Sequence, residues 1–218
     1  LSIFNNDDGD TWLGTLEGVT ELIPNSNGTW KIIRNPLGND FSKRSINTII
    51  KANDGTIWFG TDEGILIKDG KETTWLNTDG KRFDEDVKAI LFDGNKHIWI
   101  GSSQGVTRFS NSKNGYTFNQ YHSNANINES EVSCLYKDRF NRIWIGYLSA
   151  EPVIFQNDEF TTIVAPKMLS NVSGIATGAN GTIWIGTEGG GIFKYQEAPE
   201  AVKSSDFDQI DLKDGLSS

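Results

Sequence analysis

The sequence predicts an all-β chain of four-stranded antiparallel blades, and three observations carry that prediction. First, Trp, an apolar residue and Gly return together five times, as Trp12-Leu13-Gly14, Trp58-Phe59-Gly60, Trp99-Ile100-Gly101, Trp144-Ile145-Gly146 and Trp184-Ile185-Gly186. Second, the steps between these tryptophans are 46, 41, 45 and 40 residues, the period of propeller blades or another repeat array. Third, each copy divides into short apolar runs separated by Asn, Asp and Gly, and Gly (23) far outnumbers Pro (5), as in strands joined by tight turns. The chain therefore reads as a single β-propeller domain over 1–218, with repeats near 1–45, 46–86, 87–131, 132–171 and 172–218.

The first strand of a blade is marked by apolar residues twelve before Trp (Ile46, Val87, Val132, Val172) and nine before it (Ile3, Ile49, Ile90, Leu135, Ile175). A polar turn follows, as in Asn53-Asp54-Gly55 or Ala179-Asn180-Gly181, where Gly and Asn accept the positive φ of tight hairpins. The Trp strand comes next. Six residues after Trp, Gly18, Gly64, Gly105 and Gly190 close a second turn. A third strand (65–68 in the second copy) and a fourth (72–76) complete the unit, and the fourth carries Trp30, Trp75, Phe118, Phe160 or Phe207. Burying one Trp removes roughly 150–250 Å² from water, worth about 4–6 kcal/mol at ~25 cal/mol/Å². An indole repeated at one register in every copy reads as packing between blades. The Gly two residues later lets the neighbouring blade approach.

Composition narrows the function classes. The net charge of −9 disfavours a nucleic-acid partner. Cys134 is the only cysteine, so no intrachain disulfide forms, and its place beside Val132 and Leu135 reads as a buried, inert thiol. No run of 18 apolar residues occurs, so no membrane-inserting helix is expected, and no signal peptide is visible.

The pattern V-x-x-I-x-x-D-x-x-G-x-I-W-I-G-T-x-x-G-I resembles the two-component regulator propeller repeat. Residues 46–65 (INTIIKANDGTIWFGTDEGI) and 172–192 (VSGIATGANGTIWIGTEGGGI) carry it best, and the closing DGLSS is similar to the stretch before a first strand of such repeats. That resemblance implies the periplasmic or extracellular sensor portion of a hybrid two-component histidine kinase, built on seven-bladed propellers. It also implies a carbohydrate-type ligand and, as partners, neighbouring domains of the same sensor or a second copy. Five repeats either close on themselves or belong to a larger seven-bladed ring. A second likeness, N-x-D-x-G-x-T-W over residues 5–12, is to the Asp-box hairpin, itself a structural turn.

No G-x-S-x-G, H-E-x-x-H, phosphate-binding or dinucleotide fingerprint occurs, so no catalytic residue, cofactor or metal site is assigned. His97 reads as an outward strand residue and His122 as a loop residue, short of the usual metal-ligand spacing. Most carboxylates sit in Asp-Gly turns that bond their own backbone. Ligand contacts are expected at the mouth formed by the turns between second and third strands and by the loops 35–45, 77–86 and 122–131. The candidates there are Arg44, Glu63, Arg82, Gln104, Tyr147, Glu151 and Glu188. The fourth copy breaks the pattern, with Tyr147 in place of Thr or Ser and Ala150 in place of the turn Gly. Broken consensus in a repeat array marks specialised loops. Arg44, Lys81 and Arg82 bring positive charge to this face and could meet a uronate or sulfate. The sequence thus predicts a non-enzymatic sensor or binding propeller. The alternatives are a propeller lyase of the streptogramin-lyase type or a glycosidase, and a purely structural interaction module.

Overall fold

The structure, a computed structural model, describes residues 2–38, 41–78, 81–94, 97–112, 115–121, 130–163 and 171–216. The first sheet is β1 (Ser2–Asn5), β2 (Thr11–Thr15), β3 (Gly18–Pro24) and β4 (Trp30–Arg34), and the second β5 (Ile46–Lys51), β6 (Ile57–Thr61), β7 (Gly64–Asp69) and β8 (Glu72–Trp75). A short hairpin, β9 (Asn77–Thr78) and β10 (Lys81–Arg82), precedes the third sheet. That sheet is β11 (Val87–Phe92), β12 (His97–Ser102), β13 (Gly105–Ser112) and β14 (Gly115–Tyr121). The fourth is β15 (Val132–Lys137), β16 (Ile143–Tyr147), β17 (Val153–Gln156) and β18 (Glu159–Thr162). The fifth is β19 (Val172–Thr177), β20 (Thr182–Thr187), β21 (Gly191–Gln196) and β22 (Phe207–Ile210). In all five sheets the strands lie in chain order and pair antiparallel, the arrangement of propeller blades.

Turn chemistry fixes the hairpins. Asp54 Oδ1 accepts from the Thr56 backbone N–H at 3.0 Å, and Asn27 and Asn180 do the same two residues on. Gly55 supplies the positive φ of 91° that the same turn requires, a conformation other residues adopt at a steric cost.

The core is divided among the seams between sheets. Each second-strand indole of the first four sheets reaches an aromatic ring of the next: Trp12 meets Phe59 at 5.5 Å between centroids, Trp58 meets Phe92 at 5.4 Å, Trp99 meets Phe155 at 4.7 Å and Trp144 meets Tyr195 at 5.5 Å. These four tryptophans are only 0 to 3% exposed. The following Gly makes the approach possible. A Cβ on Gly60 would lie 2.7 Å from Val87 Cγ1, and one on Gly146 2.8 Å from Val172 Cγ1.

Successive first strands run side by side, β1 with β5, β5 with β11, β11 with β15 and β15 with β19, which makes them the inner strands. Among the described residues no comparable contact joins β19 to β1. The expectation that all five indoles are buried is therefore corrected at the fifth. Trp184 is 38% exposed, because no further sheet of the described residues packs on its face. At the other end of the arc Ile3, Trp30 and Ile32 are exposed for the same reason.

The seam between the fourth and fifth sheets holds a buried ion pair. Asp138 Oδ1 accepts from the backbone N–H groups of Phe140 and Arg142, and its Oδ2 accepts from Arg142 Nε and, at 2.8 Å, from Trp144 Nε1. Arg142 also donates to the Glu200 carbonyl at 3.0 Å. Because the carboxylate and guanidinium satisfy each other and several neighbours, the pair tolerates burial. Cys134 lies part-buried at the same seam, packed with Trp144 and Val172. Burial pushes its thiol up to about 11.

Candidate functional site

The inner strands share a feature that positions a site. Register slips by one residue between Ile46 and Thr48, Val87 and Ala89, Val132 and Cys134, and Val172 and Gly174. Each slip is a β-bulge, which leaves one residue out of the ladder and re-aims its side chain. The residues skipped are Asn47, Lys88, Ser133 and Ser173, all polar, while the Ile or Val before each stays buried.

Two of these bulged residues tie successive sheets together. Asn47 Nδ2 donates to Asp86 Oδ1 and to the Val87 carbonyl, both at 2.9 Å, and its Oδ1 accepts from Ser45 Oγ at 3.1 Å. Lys88 Nζ lies 2.8 Å from Asp86 Oδ2 and 3.1 Å from Glu131 Oε1. Burial works to lower the Lys88 ammonium's pKa, but the hydrogen bonds and charges of Asp86 and Glu131 outweigh it, so the net direction is upward. Lys88 is therefore held as a cation.

A second cluster joins this line. Arg44 Nη1 pairs with Glu63 Oε1, and Arg82 Nη2 stands 3.7 Å from Glu63 Oε2. The Arg82 guanidinium also sits 4.6 Å above the Trp75 ring, whose edge meets Phe41. Asp62, next to Glu63, accepts from the Ser45 backbone N–H at 3.2 Å. Two polar groups thus meet at neighbouring residues: Arg44, Arg82 and Glu63 on one side, and Asp62, Ser45, Asn47, Asp86, Lys88 and Glu131 on the other. They set three cations, Arg44, Arg82 and Lys88, among the carboxylates of Glu63, Asp62, Asp86 and Glu131.

Of the residues singled out from sequence, Arg44, Glu63 and Arg82 are brought together. Gln104 and Glu188 occupy the second-to-third-strand turns of their sheets as exposed residues, and Glu151 is exposed after β16; no described contact joins these three to the cluster. Tyr147 departs from the expectation of a mouth side chain. It is fully buried among Val106, Val132 and Ala150, and its hydroxyl has no partner among the described residues. Burial raises its pKa. The side chain of Lys81 and all of His122 lie outside the described residues. His97 is half-buried, with Nδ1 2.8 Å from Ser110 Oγ. Among the described residues no group of three or more His, Cys, Asp or Glu side chains could hold a metal ion, and no helix is long and apolar enough to cross a membrane.

Sequence reasoning missed Asn47, Asp86, Lys88 and Glu131. A signal for the bulges was present. The residues twelve and nine before Trp, such as Val87 and Ile90, are both apolar and three apart. In a regular strand an odd separation puts two residues on opposite faces, so two buried positions three apart on one face require a skipped residue between them.

Residues 40–63 and 126–148 match the family model described as "Two component regulator propeller". These two segments are similar to two-component regulator propeller repeats. Among solved structures the chain is similar to the extracellular domain of a hybrid two component system from B. thetaiotaomicron, at 23% identity and TM-score 0.75, over 99% of this chain and 28% of that one. It is similar to the extracellular domain of a one component system of the same organism at 19% identity and TM-score 0.72, over 95% and 27%. Virginiamycin B lyase from Staphylococcus aureus matches at 18% identity and TM-score 0.68, over 96% and 68%. These likenesses establish the propeller fold. The chain spans just over a quarter of the length of the first two proteins. No curated protein matches in sequence.

Proposed function

We propose that this chain is a non-enzymatic, extracellular or periplasmic sensor propeller of a two-component signalling protein, which reads an acidic carbohydrate at the polar mouth. The single observation that carries the reading is the gathering of charged and amide groups from Arg82 and Glu63 to the bulged residues Asn47 and Lys88 and on to Glu131. Bulges aim side chains out of the ladder, and here they aim polar ones. The repeats matched by the family model, and the likeness to extracellular domains of two-component systems, support a signalling context. Arg44 and Arg82 suit a uronate or sulfate, because guanidinium groups bind oxyanions through charge-assisted hydrogen bonds. Neighbouring domains of the same sensor, or a second copy, would receive the signal. Such coupling needs a ligand that binds two arrangements unequally.

Calorimetric titration with neutral and acidic oligosaccharides tests this. The expected result is saturable binding of the acidic members, weakened about tenfold or more in Arg82→Gln, the loss typical of a charged hydrogen bond. Absence of binding across the panel, or binding unchanged in Arg82→Gln and Lys88→Met, would overturn the reading. Conversion of any member to product would replace it with an enzymatic one, the activity that the lyase neighbour's name carries.

A further inference from the structure

Glu63 has two arginines on one carboxylate, one cation more than it neutralises. Its Oε1 pairs with Arg44 Nη1, and its Oε2 stands 3.7 Å from Arg82 Nη2. The guanidinium groups come from opposite flanks of the second sheet, Arg44 from the connector before β5 and Arg82 from β10, beyond β8. The neighbouring carboxylate, Asp62, is turned to the Ser45 N–H. The glutamate itself is ordinary for its place. Glu17, Glu63 and Gln104 each stand five residues after the second-strand Trp. Each donates its backbone N–H to the hydroxyl two residues earlier, on Thr15, Thr61 or Ser102, at 3.0 to 3.1 Å. Among the described residues no ion pair reaches Glu17. The arginines, not the carboxylate, therefore set the second copy apart.

We propose that Glu63 is a resident competitor for the ligand's acid group: its carboxylate holds the seat between Arg44 and Arg82 and is exchanged for the carboxylate or sulfate of an arriving sugar. This rests on the acidic-carbohydrate reading above and adds how that site rejects neutral sugars. The seat fits a two-oxygen anion, because one already spans it, and guanidinium groups hold such anions by charge-assisted hydrogen bonds. Both arginines are held independently of Glu63. Arg44 donates its backbone N–H to the Phe41 carbonyl at 3.3 Å, and its own carbonyl accepts from the Gly18 N–H at 2.8 Å. Arg82 pairs with Asn77 across the hairpin and lies 4.6 Å above the Trp75 ring. The three side chains are 30 to 40% exposed, so solvent and ligand reach the seat, and ion pairs at such exposure are weak enough to exchange. A tethered carboxylate competes at high effective concentration. A neutral sugar that displaced it would leave two guanidinium groups unpaired, and that penalty selects for acid.

Calorimetric titration of the chain, Glu63→Gln and Glu17→Gln with trigalacturonate, its methyl ester and a sulfated galactan trisaccharide tests this. Gln stands at this place in the third copy, so the turn keeps its backbone bond, and an unchanged urea midpoint shows that each variant is folded. The expected result is that Glu63→Gln binds an acidic sugar about three- to tenfold tighter, the worth of two exposed ion pairs. The methyl ester should gain nothing, and Glu17→Gln, which removes the same charge from the same turn of the first sheet, should gain far less. A gain for trigalacturonate identifies a carboxylate as the exchanging group, and a gain for the sulfated sugar a sulfate. Acidic sugars bound equally or more weakly by Glu63→Gln, or a gain shared by the methyl ester or matched in Glu17→Gln, would overturn the exchange and leave the acidic-carbohydrate reading standing. No binding of either acidic sugar by any of the three proteins would overturn that reading, and the exchange with it.

Discussion

Replacing Gly60 by Ala tests how closely the sheets approach. The added methyl would lie 2.6 Å from Thr48 Cγ2 and 2.7 Å from Val87 Cγ1, the latter on the next sheet's inner strand. Carbon atoms pack best at about 3.5–4.0 Å, so roughly 1 Å of separation must be found in a seam buried on both sides. Overpacking of this kind costs about 1–3 kcal/mol. It is offset by the ~0.4–1 kcal/mol that Gly→Ala gains by restricting the unfolded chain. Gly186 is the internal control: it occupies the same register in the fifth sheet, but its Cβ would meet nothing nearer than Ser173 Oγ at 3.2 Å. Gly186→Ala should therefore be neutral or stabilising by up to ~1 kcal/mol, and Gly60→Ala less stable by about 1–2 kcal/mol net. Urea denaturation followed by fluorescence measures both, with unchanged m-values required for the comparison. Equal midpoints for the two variants would refute the claim that this Gly exists to admit the next sheet.

Other consequences follow from the same seams. Asp138→Asn leaves the Arg142 guanidinium buried without its counter-ion and should cost about 3–5 kcal/mol, measured as a fall in thermal midpoint of ~2–4 °C per kcal/mol. Trp144→Ala should lose about 3–5 kcal/mol as a core truncation, whereas Trp184→Ala, already 38% exposed, should lose clearly less in the same denaturation assay. Cys134, its thiol raised to about 11 by burial, keeps its proton in the folded state while the unfolded thiol loses it near ~8.5. Fewer protons are then bound on unfolding, so the thiol's contribution declines as pH rises from the unfolded toward the folded value. The stability–pH profiles of the chain and of Cys134→Ala should run parallel below that window and change their separation within it.

The repeat period, the four strands per copy and the inter-sheet role of the indoles were legible in the sequence because each is a local pattern repeated in register. The turns were legible for the same reason: Asp54, Asn27 and Asn180 act through atoms two residues away. What was hidden depends on neighbours in space. Tyr147 was recognised as a break in the pattern, but its burial follows from the space left among Val106, Ala150 and Val153. Arg142 occupies the position of Thr56 and Thr182 in two other copies, and only the facing Asp138, Tyr195 and Glu200 explain how a guanidinium is buried there. The charged cluster was half legible. Arg44 and Glu63 stand in loops, and Arg82 in the short β9–β10 hairpin, whereas Lys88 and Asn47 belong to inner strands and are left out of the ladder by bulges.

The account rests on indoles wedged between neighbouring sheets, and a soluble paramagnetic probe reads this without any substitution. The indole N–H signals of Trp58, Trp99 and Trp144 should survive the probe, while those of Trp30 and Trp184, 51% and 38% exposed, should be bleached. Attenuation of Trp58, Trp99 and Trp144 to the level of Trp30 would mean that the seams are open, and the packing described here would be wrong.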